Sequence, residues 1–494
     1  MTCHINRALR ASLAAAFVAA AATFTGCRTV NDVIVDYRAN ISAGRYAVAA
    51  EEPAGLAAKG GEDKLLWQLM AASAYDLAGE TGKALENYDV AEDMMIENDH
   101  KSVFAQTANA AYAMMLNDKY FPYDGGGQDR IFTCLYKAVA YGTKGDRDAA
   151  RTELNRAAQH QENWLWERRK DIAAADARLA KESAAYTQDK GNGASDNGQS
   201  DLAVSNAMRD GSFGTAVKNA FGFDIFTSGM LDKLKPADYQ NPYVAHVCGI
   251  FRWLEGDDDA RGYLRDASAL RPSNSFAARD LALCEKGAKP AQTVWVYVED
   301  GLCPEREKWR IDLPLVLIPY AGRYVKYAGL SLPRLITHAA AASNWTAGGV
   351  RLETIANVDA LAKVEYDVYM RGALKREITR TVIDVGIQVA LGVTAENVSD
   401  WKVKTALIAS QYAAAAYSLA RRGADTRCWA TLPKTVYLAR VKRPANGVLE
   451  IRADGMPVAQ VNVPEGNTMV FVRKPAPGAA ASVKVVTFEP QRHQ

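Results

Sequence analysis

Along the first 290 residues, apolar and small side chains recur at helical spacing, in pairs of segments joined by a glycine turn. The recurring order is an aromatic, a glycine, an alanine, an aromatic or leucine, and another alanine. One copy reads Tyr75, Gly79, Ala84, Tyr88, Ala91, and a second reads Tyr141, Gly145, Ala150, Leu154, Ala157. Their glycines stand 66 residues apart, close to two periods of about 34, the spacing of tetratricopeptide-like (TPR-like) helix pairs. A degenerate unit is expected between them, starting with a helix around Ala105 to Leu116 that carries Tyr112. It would break at Phe121-Pro122 and the Gly125-Gly126-Gly127 loop. A third copy, with a turn one residue shorter, has Phe251, Gly256, Ala260, Leu264, Ala267 and Pro272. Alanine at these positions lets helices approach closely and the aromatics fill the gaps, so the pattern encodes packing rather than chemistry.

Trp164 to Tyr186 reads as a long charged helix. Lys190 to Ser200 (KGNGASDNGQS) has the composition of a flexible loop. After Gly287 the period changes. Thr293 to Val298 is β-branched and aromatic, Gly301 is a turn, and Trp309 to Ile318 reads as extended. Helical spacing returns at Val358, Leu361, Val364, Val368, Leu374, Ile378 and Val382, and a second helix is expected from Trp401 to Arg421. The apolar run Val382 to Val393 is interrupted by Asp384 and Gln388 and predicts a buried helix rather than a membrane hairpin. From Thr435 onward, short alternating segments separated by turn residues, including Asp454-Gly455, predict a small antiparallel sheet or sandwich.

The expected fold class is therefore α+β and multidomain: an N-terminal TPR-like helical repeat solenoid, then a mixed α/β domain ending in that sheet. The expected boundaries are a leader over 1–26, helical repeats over 27–189, a loop over 190–200, and further TPR-like helices over 201–289. A mixed domain over 290–433 and a β-rich module over 434–494 complete the chain.

The start of the chain changes the picture of location. Arg7 and Arg10 precede an apolar run from Ala11 to Ala22, which leads into Phe24-Thr25-Gly26-Cys27. The run is well short of the ~20 residues that span a bilayer, and the pattern is that of a secretory signal. Its last four residues resemble a bacterial lipobox, which makes Cys27 the lipidation site and places the mature protein in the cell envelope. Arg28 in place of an aspartate resembles sorting to the outer membrane. Lys+Arg 59 against Asp+Glu 57 leaves the charge nearly balanced, and without a basic stripe nucleic acid is not an expected partner. Cys134, Cys248, Cys284, Cys303 and Cys428 show no C-x-x-C spacing and read as buried small hydrophobes, with one bridge at most.

Candidate chemistry is sparse. Gly79-Glu80-Thr81-Gly82-Lys83 lacks the spacer and hydroxyl of a phosphate loop. Ser399-Asp400-Trp401-Lys402 fits S-x-x-K without its companion motifs, so Ser399 reads as a helix cap. Asp257-Asp258-Asp259 lacks the alternating carboxylates of a calcium loop and reads as a solvated turn. His100, His160, His246 and His338 are scattered, so no metal, no cofactor and no catalytic residue is expected. Asp425-Thr426-Arg427 is the first place to look for a site, against a structural salt bridge as the plainer reading.

Several segments resemble an uncharacterised family of bacterial envelope lipoproteins with TPR-like repeats. They are Phe121-Pro122-Tyr123-Asp124, IFTCLYKA from Ile131, the GDRDAARTELNRA repeat, Asn241-Pro242-Tyr243-Val244, VYVEDGLCPEREKWRIDLPL and ADTRCWATLPKTVYLARV. The shortened turn after Leu254 departs from that pattern. The resemblance implies a lipid-anchored protein with a repeat half and a mixed C-terminal half, and points toward cell-wall or outer-membrane assembly; it supplies no activity and no catalytic residues. The leading expectation is a non-enzymatic scaffold or adaptor that binds envelope proteins through its repeats while its lipid anchor holds it to the membrane. The rival is an envelope hydrolase or transferase with its site in residues 290–430.

Overall fold

The computed structural model describes residues 28–108, 122–164, 166, 215, 235–312, 329–421 and 423–488. The leader, Cys27, Tyr112, the loop 190–200 and most of the expected helix after Trp164 lie outside the described residues.

The fold is α+β. Helices α1 (Val30–Ser42), α2 (Tyr46–Lys59), α3 (Lys64–Leu77), α4 (Thr81–Ala108), α5 (Gly127–Thr143) and α6 (147–164) come first. A short turn α7 (Pro236–Tyr239), α8 (Pro242–Glu255), α9 (Ala260–Leu270) and α10 (Ser275–Glu285) follow. The three glycine turns share one geometry. Gly79, Gly145 and Gly256 have φ of 80, 81 and 82°. Each is followed by a backbone N–H, of Glu80, Asp146 or Asp257, that donates to the carbonyl five residues back, of Tyr75, Tyr141 or Arg252. Only glycine takes that left-handed conformation without strain, so the residue that ends one helix also sets the angle of the next. Ala84, Tyr88 and Ala91, then Ala150, Leu154 and Ala157, then Phe251, Ala260, Leu264 and Ala267 are buried. Tyr75 and Tyr141 are half-buried against the same core, and Pro272 is exposed at a turn.

Of the helix expected around Ala105 to Leu116, Ala105 to Ala108 are helical as the end of α4, and the remainder, with the break at Phe121, lies outside the described residues. Helix α4 runs unbroken for 28 residues, because Lys83 to Ala108 contains no glycine or proline to stop it.

Strands β1 (Thr293–Asp300), β2 (Glu305–Asp312), β3 (Gly329–Ile336), β4 (Trp345–Ala347), β5 (Val350–Arg351) and β6 (Glu353–Asn357) precede helices α11 (Val358–Asn397) and α12 (Trp401–Arg421). Strands β7 (Thr435–Lys442), β8 (Val448–Ala453), β9 (Met456–Asn462), β10 (Asn467–Lys474) and β11 (Ser482–Phe488) follow. The main sheet has the order β11-β10-β1-β7-β6, a second has β5-β4-β8-β9, and β2 pairs with β3. The expected self-contained antiparallel terminal sheet is corrected. Its strands divide between two sheets, and β10 lies parallel to β1. The hairpin dipeptide does turn as its sequence predicts, with Asp454 and Gly455 both at positive φ, 48 and 81°.

Strand β1 explains the layering. It is buried along its whole length, and its side chains alternate. Trp295 and Tyr297 join the core shared with the helices, while Val294, Val296 and Val298 join a second core against β4, β8 and β9. One hydrophobic core thus runs from Val33 on α1 to Phe488 on β11, and helices, main sheet and small sheet form three layers. Among the described residues no helix is long and apolar enough to cross a membrane.

Candidate functional site

Polar groups are concentrated where the helices meet the main sheet. Asp76 on α3 and Glu299 on β1 are buried carboxylates that share Arg473 on β10: Arg473 Nη1 stands 3.1 Å from Asp76 and Nε stands 3.0 Å from Glu299. Tyr136 and Tyr243 each donate to Glu299 at 2.9 Å, and Lys484 pairs with Asp76. Burial pushes Glu299 above the usual carboxylate range, against the pull of Arg473 and the two phenols. Further along β1, the His246 ring lies 2.8 Å from the Tyr297 hydroxyl and 3.2 Å from Asp280, which also accepts the indole N–H of Trp295 at 2.8 Å. Both networks are sealed, so they act as polar struts.

A third cluster has metal-ligand types. The ligand atoms of Glu92, Cys134 and Glu153 lie within 4.8 Å of one another. The centre is already held by a cation of the chain, since Lys137 pairs with Glu92 and lies 3.0 Å from Glu153 and 2.9 Å from Asp89. Arg156 adds a second cation at 3.1 Å from Glu92 and 3.0 Å from Glu153, so these residues do not suit a metal ion.

The segments singled out in the sequence converge. Arg427 is braced by Asp425 at 2.8 Å and by Asp63, just before α3, at 2.9 Å, and is 4% exposed. This is the structural salt bridge, made across 364 residues of chain. The Gly126-Gly127 backbone opens α5, where the Gln128 N–H donates to Glu365 of α11 at 2.8 Å. A Cβ on Gly127 would collide with the Trp164 ring and stand 2.7 Å from Glu365. The triple glycine therefore admits a carboxylate and an indole against the backbone.

The remaining cluster is partly open, at the carboxyl end of β1. Arg38 of α1 donates to Glu305 of β2 at 2.9 Å, and His338, two residues beyond β3, has Nε2 at 3.6 Å from the same carboxylate. Lys434 pairs with Asp359 at the start of α11. The Cys428 thiol lies near the Arg306 backbone N–H and guanidinium, Arg38 and Glu305. Burial, then Arg38 and Lys434, push His338 down to about 4, and burial pushes Cys428 up. Beside them Asp300 accepts the Ala342 N–H at 2.9 Å and the Trp345 indole N–H at 3.2 Å, and burial pushes it up to about 6. Cys428 is the one cysteine described that is not buried. In the sequence His338 stands out only as one of four scattered histidines and Cys428 reads as a buried small hydrophobe, whereas it is partly exposed; Arg38 and Glu305 were passed over. No local spacing marks the four residues as a group.

The other motifs resolve simply. Asp257 accepts the Asp259 N–H at 3.1 Å and pairs with Arg252 at 2.7 Å, a turn rather than a calcium loop. Lys83 pairs with Glu80 on the surface at 2.5 Å. Ser399 is not the cap of α12: Asp400 is, accepting N–H from Lys402 at 2.7 Å and Val403 at 3.2 Å.

Comparison with known proteins finds no match: no family model, no curated protein and no solved structure is similar to the chain.

Proposed function

We propose that the chain is a lipid-anchored envelope scaffold, tethered through Cys27, and that it works as a non-enzymatic adaptor at the outer membrane whose TPR-like helix pairs form a rigid frame. The observation that carries this reading is an exposed apolar stripe on α12. Trp401, Ile408 and Tyr412 are 59, 40 and 54% exposed, and at i, i+7 and i+11 they lie on one face of the helix. Clustered large apolar side chains on a surface mark contact sites. The helical pairs contribute rigidity. Their inner side chains are spent on the chain's own sheet, which leaves their outer faces and α12 for envelope partners.

The test is site-specific photocrosslinking in native membranes, with a benzophenone side chain in place of Trp401 and, as a control, in place of the exposed Lys286 just after α10. A defined envelope protein captured from position 401 alone, and lost from Ile408→Ser, supports the adaptor. Equal, diffuse labelling from both positions overturns it. Release of the Cys27→Ser form from the membrane tests the anchor separately.

A second reading, an envelope hydrolase or transferase with its site in residues 290–430, draws on Glu305, His338 and Cys428. A cysteine nucleophile needs a base within hydrogen-bond reach, and among the described residues no hydrogen bond joins Cys428 to His338. The scaffold is therefore the better-supported function.

A further inference from the structure

The open cluster at the carboxyl end of β1 contains two nitrogen atoms whose hydrogen-bonding capacity is unused. Arg38 is 7% exposed, and while its Nη1 donates to Glu305, its Nη2 has no acceptor; His338 Nε2 is also removed from solvent and, though 3.6 Å from Glu305, makes no hydrogen bond. A guanidinium N–H removed from water is costly to leave unpaired. Glu305 links the two side chains, its carboxylate accepting from Arg38 Nη1 at 2.9 Å and lying 3.6 Å from His338 Nε2. Arg306 adds a further cation. Its guanidinium lies 4.9 Å from the Tyr369 ring centre, and Asp425 acts on it from beyond ion-pair distance.

We propose that this cluster binds a carboxylate group of a small molecule or peptide terminus, one oxygen accepting from Arg38 Nη2 and the other from His338 Nε2, with Arg306 supplying long-range attraction. The neighbouring charges are engaged elsewhere. Lys434 is committed to Asp359, Glu305 to Arg38, and Asp300 to the Ala342 and Trp345 N–H groups. The Cys428 thiol lies near both arginines and Glu305. The two donors suit the planar, two-oxygen geometry of a carboxylate. This site is independent of the α12 stripe, so either proposal can fail alone.

His338 reports occupancy. The groups that face it are Arg38 from α1, Glu305 from β2 and Lys434 from the segment before β7. Burial and the two cations keep the ring neutral, and a bound anion opposes the cations, so binding raises its proton affinity. The experiment follows the His338 ring resonances by NMR in the full chain, titrated with acetate and, separately, inorganic phosphate. Acetate is expected to give a saturable shift and to raise the His338 pKa by about one unit. Arg38→Gln is expected to abolish the response, and Arg306→Gln, which breaks no ion pair among the described residues, to weaken acetate several-fold. The buried His246 ring serves as the fold control. Unmoved His338 resonances in the wild-type chain overturn the proposal. So does a response to phosphate without one to acetate, or a shift that Arg306→Gln and Arg38→Gln leave unchanged in folded protein.

Discussion

Arg473 lies directly opposite Glu299 in the parallel β1–β10 pair, with its Nε 3.0 Å from the carboxylate. The same guanidinium reaches Asp76 on α3 at 3.1 Å and covers the Tyr136 ring at 4.2 Å. One side chain thus neutralises two buried acids from different layers.

Arg473→Met should therefore leave Asp76 and Glu299 without their shared cation. Breaking a buried pair from one side costs about 3–5 kcal/mol. Urea denaturation of the variant should show a loss of that size, and a loss below about 1 kcal/mol, the worth of a surface pair, would show that the strut is dispensable.

Gly127→Ala tests the crowding at the start of α5. The added methyl meets the Trp164 ring and the Glu365 carboxylate, and overpacking of this kind costs about 1–3 kcal/mol. Gly55 sits inside α2 with nothing within 4 Å of where a methyl group would stand, so Gly55→Ala should stabilise by about 0.4–1 kcal/mol. Thermal unfolding of the two variants should move in opposite directions.

Asp300 makes stability depend on pH in a direction opposite to that of a salt-bridged acid. Its folded pKa of about 6 lies above the ordinary value of 3.8. The folded state therefore holds the proton more tightly, and the contribution is fully present below 3.8 and lost as pH rises through about 6. Between pH 5 and 7 this amounts to about 1 kcal/mol at 1.36 kcal/mol per unit. The stability difference between wild type and Asp300→Asn, measured by denaturation at each pH, should change by that amount. A pH-independent difference would place the Asp300 proton affinity in the ordinary range.

Helix α12 offers a local test. Asp400→Ala removes the acceptor for the Lys402 and Val403 N–H groups and should cost about 1 kcal/mol. Ser399→Ala should change stability by about 0.5 kcal/mol at most. Equal losses from the two variants would restore Ser399 as the cap.

Periodicity and turn chemistry are properties of neighbouring residues, and the sequence determined them by itself. The glycine turns at Gly79, Gly145 and Gly256, strand β1, helix α12 and the Asp454-Gly455 hairpin were all legible because each depends on conformational preferences within a few positions. The separate terminal sheet was misread because alternation specifies which side chains share a face, and says nothing of which strand lies alongside. Only the tertiary structure placed β10 parallel to β1 and brought Asp76, Glu299 and Arg473 together. Likewise Arg38, Glu305, His338 and Cys428 carry no local spacing that marks a site. They meet because α1, β2, the segment after β3 and the segment before β7 come together near the carboxyl end of β1, where contacts between distant parts of the chain decide what each side chain can bind.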